Sequence, residues 1–326
     1  MRRLRVLLLA VLVLPIHIVL TARPAAARPD VAARNWIVMD GASGDVLDAQ
    51  EPHQRTAIAS LTKMLTALVA VERADLEQVV TVMRSDLIRG SSAGLRAGER
   101  LSLRTLLYGL LLPSGNDAAL AIARAVGGSP HADDQAARGR FIDWMNERAV
   151  SLGLTDTRVV NPHGLDARDH FGSAHDLALV TRAVLESPVL APIFGAHDYS
   201  GEGHRYESTN KLWERYPGII GGKTGWTRAA GHCLVEVAER DGRRVIVVLL
   251  GSTSERWYDD ATALLDHGFA ILSPPATPEP TGHAHTTGLG GTAHAPRAWT
   301  WGLAPGAIAE SPTRRWAAWS LTTRLR

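Results

Sequence analysis

The sequence is poor in cysteine and in lysine. It has 326 residues and one cysteine, Cys233, so no disulfide can form within the chain and the packed core alone must stabilise the fold. Cys233 lies in the apolar run Cys233-Leu234-Val235, which predicts a buried strand residue rather than a nucleophile. Of the 35 lysine and arginine residues, only three are lysine: Lys63, Lys211 and Lys223.

The sequence also lacks a strong excess of either charge. Its formal net charge is +2, which gives no electrostatic case for binding nucleic acid. His163, His170 and His175 lie near Asp166, Asp169 and Asp176 but do not have the His-Glu-x-x-His spacing of a zinc site, so the sequence predicts neither a metal nor a cofactor. A hydrophobic content of 45% suffices for a sizeable core in one large domain or two modest ones.

The first 27 residues have the order of a secretory signal peptide. Three arginines near the amino terminus precede an apolar run over residues 6–20, and Ala25-Ala26-Ala27 offers a cleavage site. The run is short for a membrane span, although an uncleaved anchor is the alternative interpretation. This pattern predicts that the chain is exported and then secreted or retained in the cell envelope. Cleavage after residue 27 would change the formal net charge from +2 to −2.

Hydrophobic patterning predicts strands at both ends of residues 28–273 and helices in the middle. One hairpin is predicted at residues 36–47, and another at residues 231–250 around the turn Asp241-Gly242. Helices are predicted at residues 60–71, 102–112, 117–126, 140–153 and 174–187. The simplest packing places both hairpins in one antiparallel sheet flanked by helices, with a mainly helical second lobe and a cleft between the lobes.

Composition changes after Ser273. Residues 274–326 repeat proline, glycine, threonine and alanine without a sustained period, which predicts a low-complexity, disordered tail. Its last stretch, residues 314–326, mixes tryptophan, leucine and arginine. A peripheral contact of this stretch with an anionic membrane is therefore a second hypothesis for the tail.

The positions of the few lysines suggest amine chemistry. Arginine stays protonated in proteins, whereas a buried lysine can become a neutral amine. Lys63 follows Ser60 by three residues in a predicted helix, which places both side chains on one face. Because a serine hydroxyl needs a base to become a nucleophile, we predict that Lys63 activates Ser60. A capping serine beside a surface lysine is the alternative for this short pattern.

Two further motifs occur where predicted elements meet. Ser114-Gly115-Asn116 lies between two predicted helices, where a helix cap is the structural alternative. Lys223-Thr224-Gly225 follows two glycines, which would let another chain or a ligand approach the backbone closely. A glycine turn before an edge strand is the alternative there. Lys211 has no comparable setting and is predicted to be exposed.

These three motifs, in this order, resemble those of the penicillin-binding protein and serine β-lactamase superfamily. The sequence is most similar to the low-molecular-weight D-alanyl-D-alanine carboxypeptidases, peptidase family S11, over roughly residues 33–272. The resemblance implies an α/β fold of the serine β-lactamase/DD-peptidase type. One departure is Gly222, which stands where the family pattern leads us to expect an apolar residue before the motif lysine.

The resemblance also implies a mechanism. Ser60 would attack the carbonyl between two terminal D-alanines of a peptidoglycan stem peptide while Lys63 takes its proton, and Ser114, helped by Lys63, would relay a proton to the leaving amine. The residues implied in binding the substrate are Asn116, Lys223, Thr224, Gly225 and Trp226. Among these, Lys223 would hold the terminal carboxylate and the Trp226 N–H would share the oxyanion hole with that of Ser60. β-Lactam antibiotics would acylate the same serine.

Three alternatives remain open at this point. An endopeptidase acting on peptide cross-links would use the same residues. A class A-like β-lactamase would need a glutamate to activate water, and no Glu-x-x-Leu-Asn run occurs between Ser114 and Lys223. A non-catalytic module that binds peptidoglycan or penicillin could lose Ser60 or Lys63, whereas all three motifs are intact.

Overall fold

The computed structural model describes residues 27–128 and 134–273, which form a five-stranded antiparallel sheet with helices on both faces. The strands are β1 (Asn35–Asp40), β2 (Val46–Gln50), β3 (Val79–Thr81), β4 (Arg100–Ser102), β5 (Asp198–Gly201), β6 (His204–Glu207), β7 (Ile219–Thr227), β8 (Gly231–Arg240) and β9 (Arg243–Ser252). The α-helices are α1 (Thr62–Arg73), α2 (Leu103–Leu111), α3 (Asn116–Gly127), α4 (Asp134–Ser151), α5 (Ala174–Glu186), α6 (Leu190–Phe194) and α7 (Trp257–Leu272). Short 3-10 turns occur at Ala59–Leu61, Arg84–Asp86 and Lys211–Glu214.

Both predicted hairpins are confirmed, and they lie in one sheet of order β2-β1-β9-β8-β7. The first strand pairs with the last, because β1 runs antiparallel to β9. At the turn between β8 and β9, Asp241 and Gly242 have φ angles of 51° and 72°. Two consecutive positive φ angles match the right-handed twist of the flanking strands, which explains the Asp-Gly pair there.

The strand β7 was not predicted. The motif Lys223-Thr224-Gly225 was placed just before a strand, but it lies inside β7, an edge strand in which Lys223 pairs with Val235 of β8. Glycine has a low intrinsic strand propensity, so the three glycines of this segment hid the strand. Pairing with β8 and packing against the chain near Ser60 decide its conformation instead.

The predicted helices are present with shifted ends. The first α-helix begins at Thr62, so Ser60 lies in the preceding 3-10 turn at Ala59–Leu61. The predicted cap is confirmed, because the Ser102 hydroxyl accepts a hydrogen bond from the Thr105 N–H at 3.2 Å. The helix predicted from residue 140 begins at Asp134, and its start was missed because its first seven residues have no large apolar side chain that would show the helical period.

The sheet separates two apolar clusters. On one face, Ile37, Val235 and Val248 pack towards the helical lobe, and on the other face Leu234 and Val247 pack with residues of α7. Because side chains alternate along a strand, neighbouring residues of β7 and β8 belong to different faces. Cys233 is fully buried in β8, as predicted, and burial raises the pKa of its thiol to about 11.

Two predicted segments fall outside the described residues. These are the signal peptide, except for residue 27, and the tail at residues 274–326 with its hypothetical membrane contact. Within residues 27–128 and 134–273, every helix is too short or too polar to span a membrane.

Candidate active site

The turn before α1 presents Ser60 to Lys63. Ala59 has a φ angle of 47°, a left-handed conformation that is rare outside glycine and is often found at functional sites. This turn carries Ser60, and the first turn of α1 carries Lys63. The Lys63 Nζ lies 2.8 Å from the Ser60 Oγ, so the two side chains are in direct contact, as their spacing predicts.

Lys63 is fully buried and is surrounded by oxygen atoms. Its Nζ also lies 2.8 Å from the side-chain Oδ1 of Asn116 and 2.8 Å from the main-chain carbonyl of His163. Burial is the main reason that the pKa of Lys63 is lowered well below its ordinary value of 10.5. The charge of Lys223 lowers it further, whereas the charge of Asp117 opposes the shift.

These partners determine how a neutral Lys63 would be oriented. A neutral amine has two N–H bonds and one lone pair, while amide and peptide carbonyl oxygens can only accept hydrogen bonds. The carbonyls of Asn116 and His163 would therefore take both N–H bonds. The lone pair would then face the Ser60 hydroxyl, the one partner of the three that can donate a proton.

Ser114 contacts the second buried lysine. It lies at the junction of α2 and α3 with a φ angle of 63°, which directs its hydroxyl into the cleft instead of capping a helix. The Lys223 Nζ donates to the Ser114 Oγ at 2.8 Å and to the Thr224 carbonyl at 2.9 Å. Lys223 is 1% exposed, and burial lowers its pKa to about 7.

Asn116 joins the two walls of the site. It is the first residue of α3, and its Oδ1 accepts from Lys63 while its Nδ2 donates to the Arg89 carbonyl at 3.2 Å. Because both ends of the amide are engaged, its orientation is fixed. The helix start therefore holds Lys63 on one side and the segment at residues 89–95 on the other.

The sequence analysis missed the residue that anchors this segment. The Asp117 carboxylate accepts from the Ser92 hydroxyl at 2.5 Å and from the backbone N–H groups of Ala93 and Leu95 at 2.8 and 3.3 Å. This segment also carries Ser91, which lines the cleft. An acidic residue in the first turn of a predicted helix was the available signal, but it usually reflects the helix dipole alone.

Gly225 lets β7 lie against the nucleophile turn. A Cβ atom built on Gly225 would stand 3.1 Å from the Ser60 nitrogen and 3.2 Å from the Ala59 Cβ. The close approach expected from the glycines is thus made by this protein's own turn. It brings the backbone of β7, with Trp226 after Gly225, alongside Ser60.

The cleft has two parts that meet at Ser60 and Trp226. The larger, of about 550 Å³, is lined by Asn116, Asp166 and Arg228 among others. The smaller, of about 170 Å³, is lined by Ser114, Thr209 and Thr224. Trp226 is 61% exposed and lines both parts. The structure therefore brings together all the predicted site residues, while Lys211 is exposed as predicted.

A family model and individual relatives match most of this chain. The family model described as D-alanyl-D-alanine carboxypeptidase matches residues 22–254. The D-alanyl-D-alanine carboxypeptidase DacB2 of Mycobacterium tuberculosis is 38% identical over 254 residues, which are 74% of this chain and 84% of the relative. The match to DacF of Bacillus subtilis, at 32% identity, covers 73% of this chain but only 62% of that relative.

Solved structures agree with these relatives. The crystal structure of a D-alanyl-D-alanine carboxypeptidase from Mycobacterium tuberculosis H37Rv superposes with a TM-score of 0.70 at 36% identity, covering 78% of this chain and 96% of that one. The Streptomyces K15 DD-transpeptidase superposes with a TM-score of 0.72 at 30% identity, covering 75% of this chain and 100% of that one.

Proposed function

The chain belongs to the D-alanyl-D-alanine carboxypeptidase family of serine peptidases, peptidase family S11, and we propose that it removes the terminal D-alanine from peptidoglycan stem peptides through an acyl-enzyme on Ser60. The observation that carries this proposal is the position of Lys63. Its Nζ lies 2.8 Å from the Ser60 hydroxyl and from two carbonyl oxygens that leave its lone pair free for the serine proton.

Acylation begins when neutral Lys63 accepts the Ser60 proton. The Ser60 Oγ then bonds to the carbonyl carbon of the penultimate D-alanine, and the carbonyl oxygen becomes an oxyanion. The backbone N–H groups of Ser60 and Trp226 stabilise that oxyanion. Loss of one such donor costs about 3–4 kcal/mol in comparable enzymes.

The smaller part of the cleft receives the leaving D-alanine. Lys223 in its protonated form attracts the terminal carboxylate, and the Thr224 hydroxyl donates a hydrogen bond to it. Ser114 passes a proton to the leaving amine. Ser114 receives in exchange the proton that Lys63 took from Ser60, so Lys63 becomes neutral again, while Lys223, whose Nζ donates to the Ser114 Oγ at 2.8 Å, stays protonated and orients that hydroxyl. Asn116 orients both Lys63 and the substrate amide.

Water then hydrolyses the acyl-enzyme and restores Ser60. β-Lactams acylate the same serine, because they present a reactive amide and a carboxylate to the same groups. The named relatives are carboxypeptidases, so they do not favour the endopeptidase, β-lactamase or non-catalytic alternatives. Since peptidoglycan stem peptides are part of the cell wall, we also propose that the protein acts outside the cytoplasm, after export directed by residues 1–27.

Release of D-alanine from a stem pentapeptide by the purified protein tests this proposal. We expect release by the wild type and none above background by Ser60→Ala. A fluorescent penicillin should label the wild type covalently and leave Ser60→Ala unlabelled. The matched control is Ser43→Ala, an exposed serine in the turn between β1 and β2 that lines neither part of the cleft.

Release by Ser60→Ala at the wild-type rate would reject Ser60 as the nucleophile. Labelling of the wild type without release of D-alanine would instead keep serine acylation and reject the substrate.

A further inference from the structure

A buried carboxyl group lies behind the strand that carries Lys223. Glu236 of β8 is 0% exposed, and its cross-strand neighbours are Gly222 and Val247. Directly opposed residues of antiparallel strands point to the same face of a sheet. Val247 belongs to the cluster under α7, so Glu236 faces away from the cleft that holds Ser60 and Lys63.

Glu236 has one hydrogen-bond partner. Its Oε2 accepts from the Asn210 Nδ2 at 3.0 Å, whereas its Oε1 has no partner among the described residues. Burial raises the pKa of this carboxyl well above its ordinary value, which favours its neutral form. A buried polar atom without a partner costs stability, so an apolar side chain would serve the core better. The contact with Asn210 is what a carboxyl group adds at this position.

Gly222 makes room for that contact. A Cβ atom at Gly222 would stand 2.6 Å from the Glu236 Oε2 and 2.7 Å from the Asn210 Nδ2. Any larger residue would therefore force the two groups of the hydrogen bond apart. This explains the departure noted in the sequence, where glycine replaces the apolar residue expected before Lys223. Gly222 and Glu236 fit each other as a pair.

Asn210 connects Glu236 to the wall of the cleft. The next residue towards the amino terminus, Thr209, has its hydroxyl oxygen 2.6 Å from that of Thr224. Thr209 and Thr224 both line the smaller part of the cleft. The Tyr258 hydroxyl donates to the Thr209 carbonyl at 3.2 Å, which fixes this segment from the side of α7. Displacement of Asn210 would therefore move Thr209 relative to Thr224.

The direction of the hydrogen bonds links the contact between Glu236 and Asn210 to binding of the substrate carboxylate. A substrate carboxylate can only accept, so the Thr224 hydroxyl must donate to it. The Thr224 oxygen is then available to accept from the Thr209 hydroxyl. A chain of hydrogen bonds from Thr209 through Thr224 to the carboxylate polarises each member and orients the Thr224 hydroxyl.

We propose that Glu236 is a positioning residue for recognition of the substrate's terminal carboxylate, acting through Asn210 and Thr209 on Thr224 in the space that Gly222 leaves. The inference rests on the proposed function, because it assigns the carboxylate of the leaving D-alanine to the smaller part of the cleft. The proposed role of Glu236 concerns only the recognition of that carboxylate. The contact between Lys63 and Ser60 lies on the other face of the sheet and does not depend on it.

Two substrates and two substitutions at one position test the proposal. The substrates are a stem peptide ending in D-Ala-D-Ala and the same peptide with its terminal carboxylate replaced by a carboxamide. Glu236→Met removes the acceptor and keeps a similar volume, while Glu236→Gln keeps an acceptor for Asn210. We expect Glu236→Met to raise KM for the carboxylate peptide about tenfold, the value of one hydrogen bond of ordinary strength. Its kcat for that peptide should stay within about twofold.

For the carboxamide peptide, Glu236→Met should keep kcat/KM within about twofold of the wild type. Thr209→Val should reproduce the Glu236→Met result, and Glu236→Gln should restore the wild-type ratio between the two peptides. If Glu236→Met does not fold, Gly222→Ala carries the same expectation, because its methyl group would separate Glu236 from Asn210.

A wild-type ratio of kcat/KM between the two peptides in Glu236→Met, or an equal loss of kcat/KM on both peptides, would overturn the assignment of Glu236. These results are distinguishable from a failure of the proposed function, because in such a failure the wild type itself would release no D-alanine from the carboxylate peptide.

Discussion

Lys63 and Lys223 are buried in the same cleft, but their surroundings suit opposite protonation states. Lys63 contacts two carbonyl oxygens and one serine hydroxyl, and the charge of Lys223 adds to burial in lowering its pKa. Lys223 contacts one carbonyl and one hydroxyl, and burial alone lowers its pKa to about 7. The first site favours a neutral base, whereas the second retains a cation below neutral pH.

The comparison teaches that burial alone does not assign a role to a lysine. Both side chains are almost completely removed from solvent, and both have a serine hydroxyl at 2.8 Å. The difference lies in the other partners and in the neighbouring charge. A substrate carboxylate placed beside Lys223 would restore its preference for the charged form, whereas the proposed mechanism places that carboxylate beside Lys223 and not beside Lys63.

The largest expected effect comes from removing the base. Lys63→Ala should slow acylation of Ser60 by about 10³-fold, because a positioned general base contributes about 10²–10⁴-fold. The measurement is the second-order rate of labelling by a fluorescent penicillin, with Lys211→Ala as the matched control at an exposed lysine. Labelling of Lys63→Ala at the wild-type rate would show that another group takes the serine proton.

A smaller effect should follow removal of the cation. Lys223→Met should lower kcat/KM for a carboxylate-ended peptide about 100-fold, as expected for loss of one partner of a buried charged pair. A carboxamide-ended peptide should lose much less. In the wild type, kcat/KM for the carboxylate peptide should fall as pH rises above about 7, because free Lys223 then loses its proton.

If Lys223→Met lost the same factor in kcat/KM on both peptides, the role of Lys223 would be limited to the proton transfer through Ser114. The absence of an alkaline decline specific to the carboxylate peptide would contradict its role as the cation.

The smallest expected effect is a shift in pH dependence. Lys223→Met should raise the pKa of Lys63 and move the acid limb of Ser60 acylation to higher pH, because a charge that lowers this pKa is removed. Asp117→Asn should move the limb to lower pH, because the Asp117 charge raises the same pKa. The position of the limb is compared rather than its height, since Asp117 also anchors the segment with Ser91. If the acid limb moved in the same direction in both variants, the opposite effects expected of these two charges on the pKa of Lys63 would be refuted.

Much of this architecture was predictable from local patterns. Both hairpins, the main helices, the Ser102 cap and the buried Cys233 follow from periodicity and from residue preferences at element ends. The contact between Ser60 and Lys63 also followed, because residues three apart share one face of a helix. Strand β7 was missed, since its glycines suggest a turn and only pairing with β8 makes it a strand.

Patterns in the sequence predicted which groups carry the chemistry and that Ser60 and Lys63 are neighbours, and the structure shows the second of these as a direct contact. Only the tertiary structure decided that the His163 carbonyl completes the surroundings of Lys63, that Ser114 contacts Lys223, and that Glu236 reaches Asn210 across Gly222. The physical reason is separation along the chain. A periodic pattern reports on contacts within a few residues, whereas these partners stand from 26 to 109 positions apart and meet because the sheet and the helices pack together.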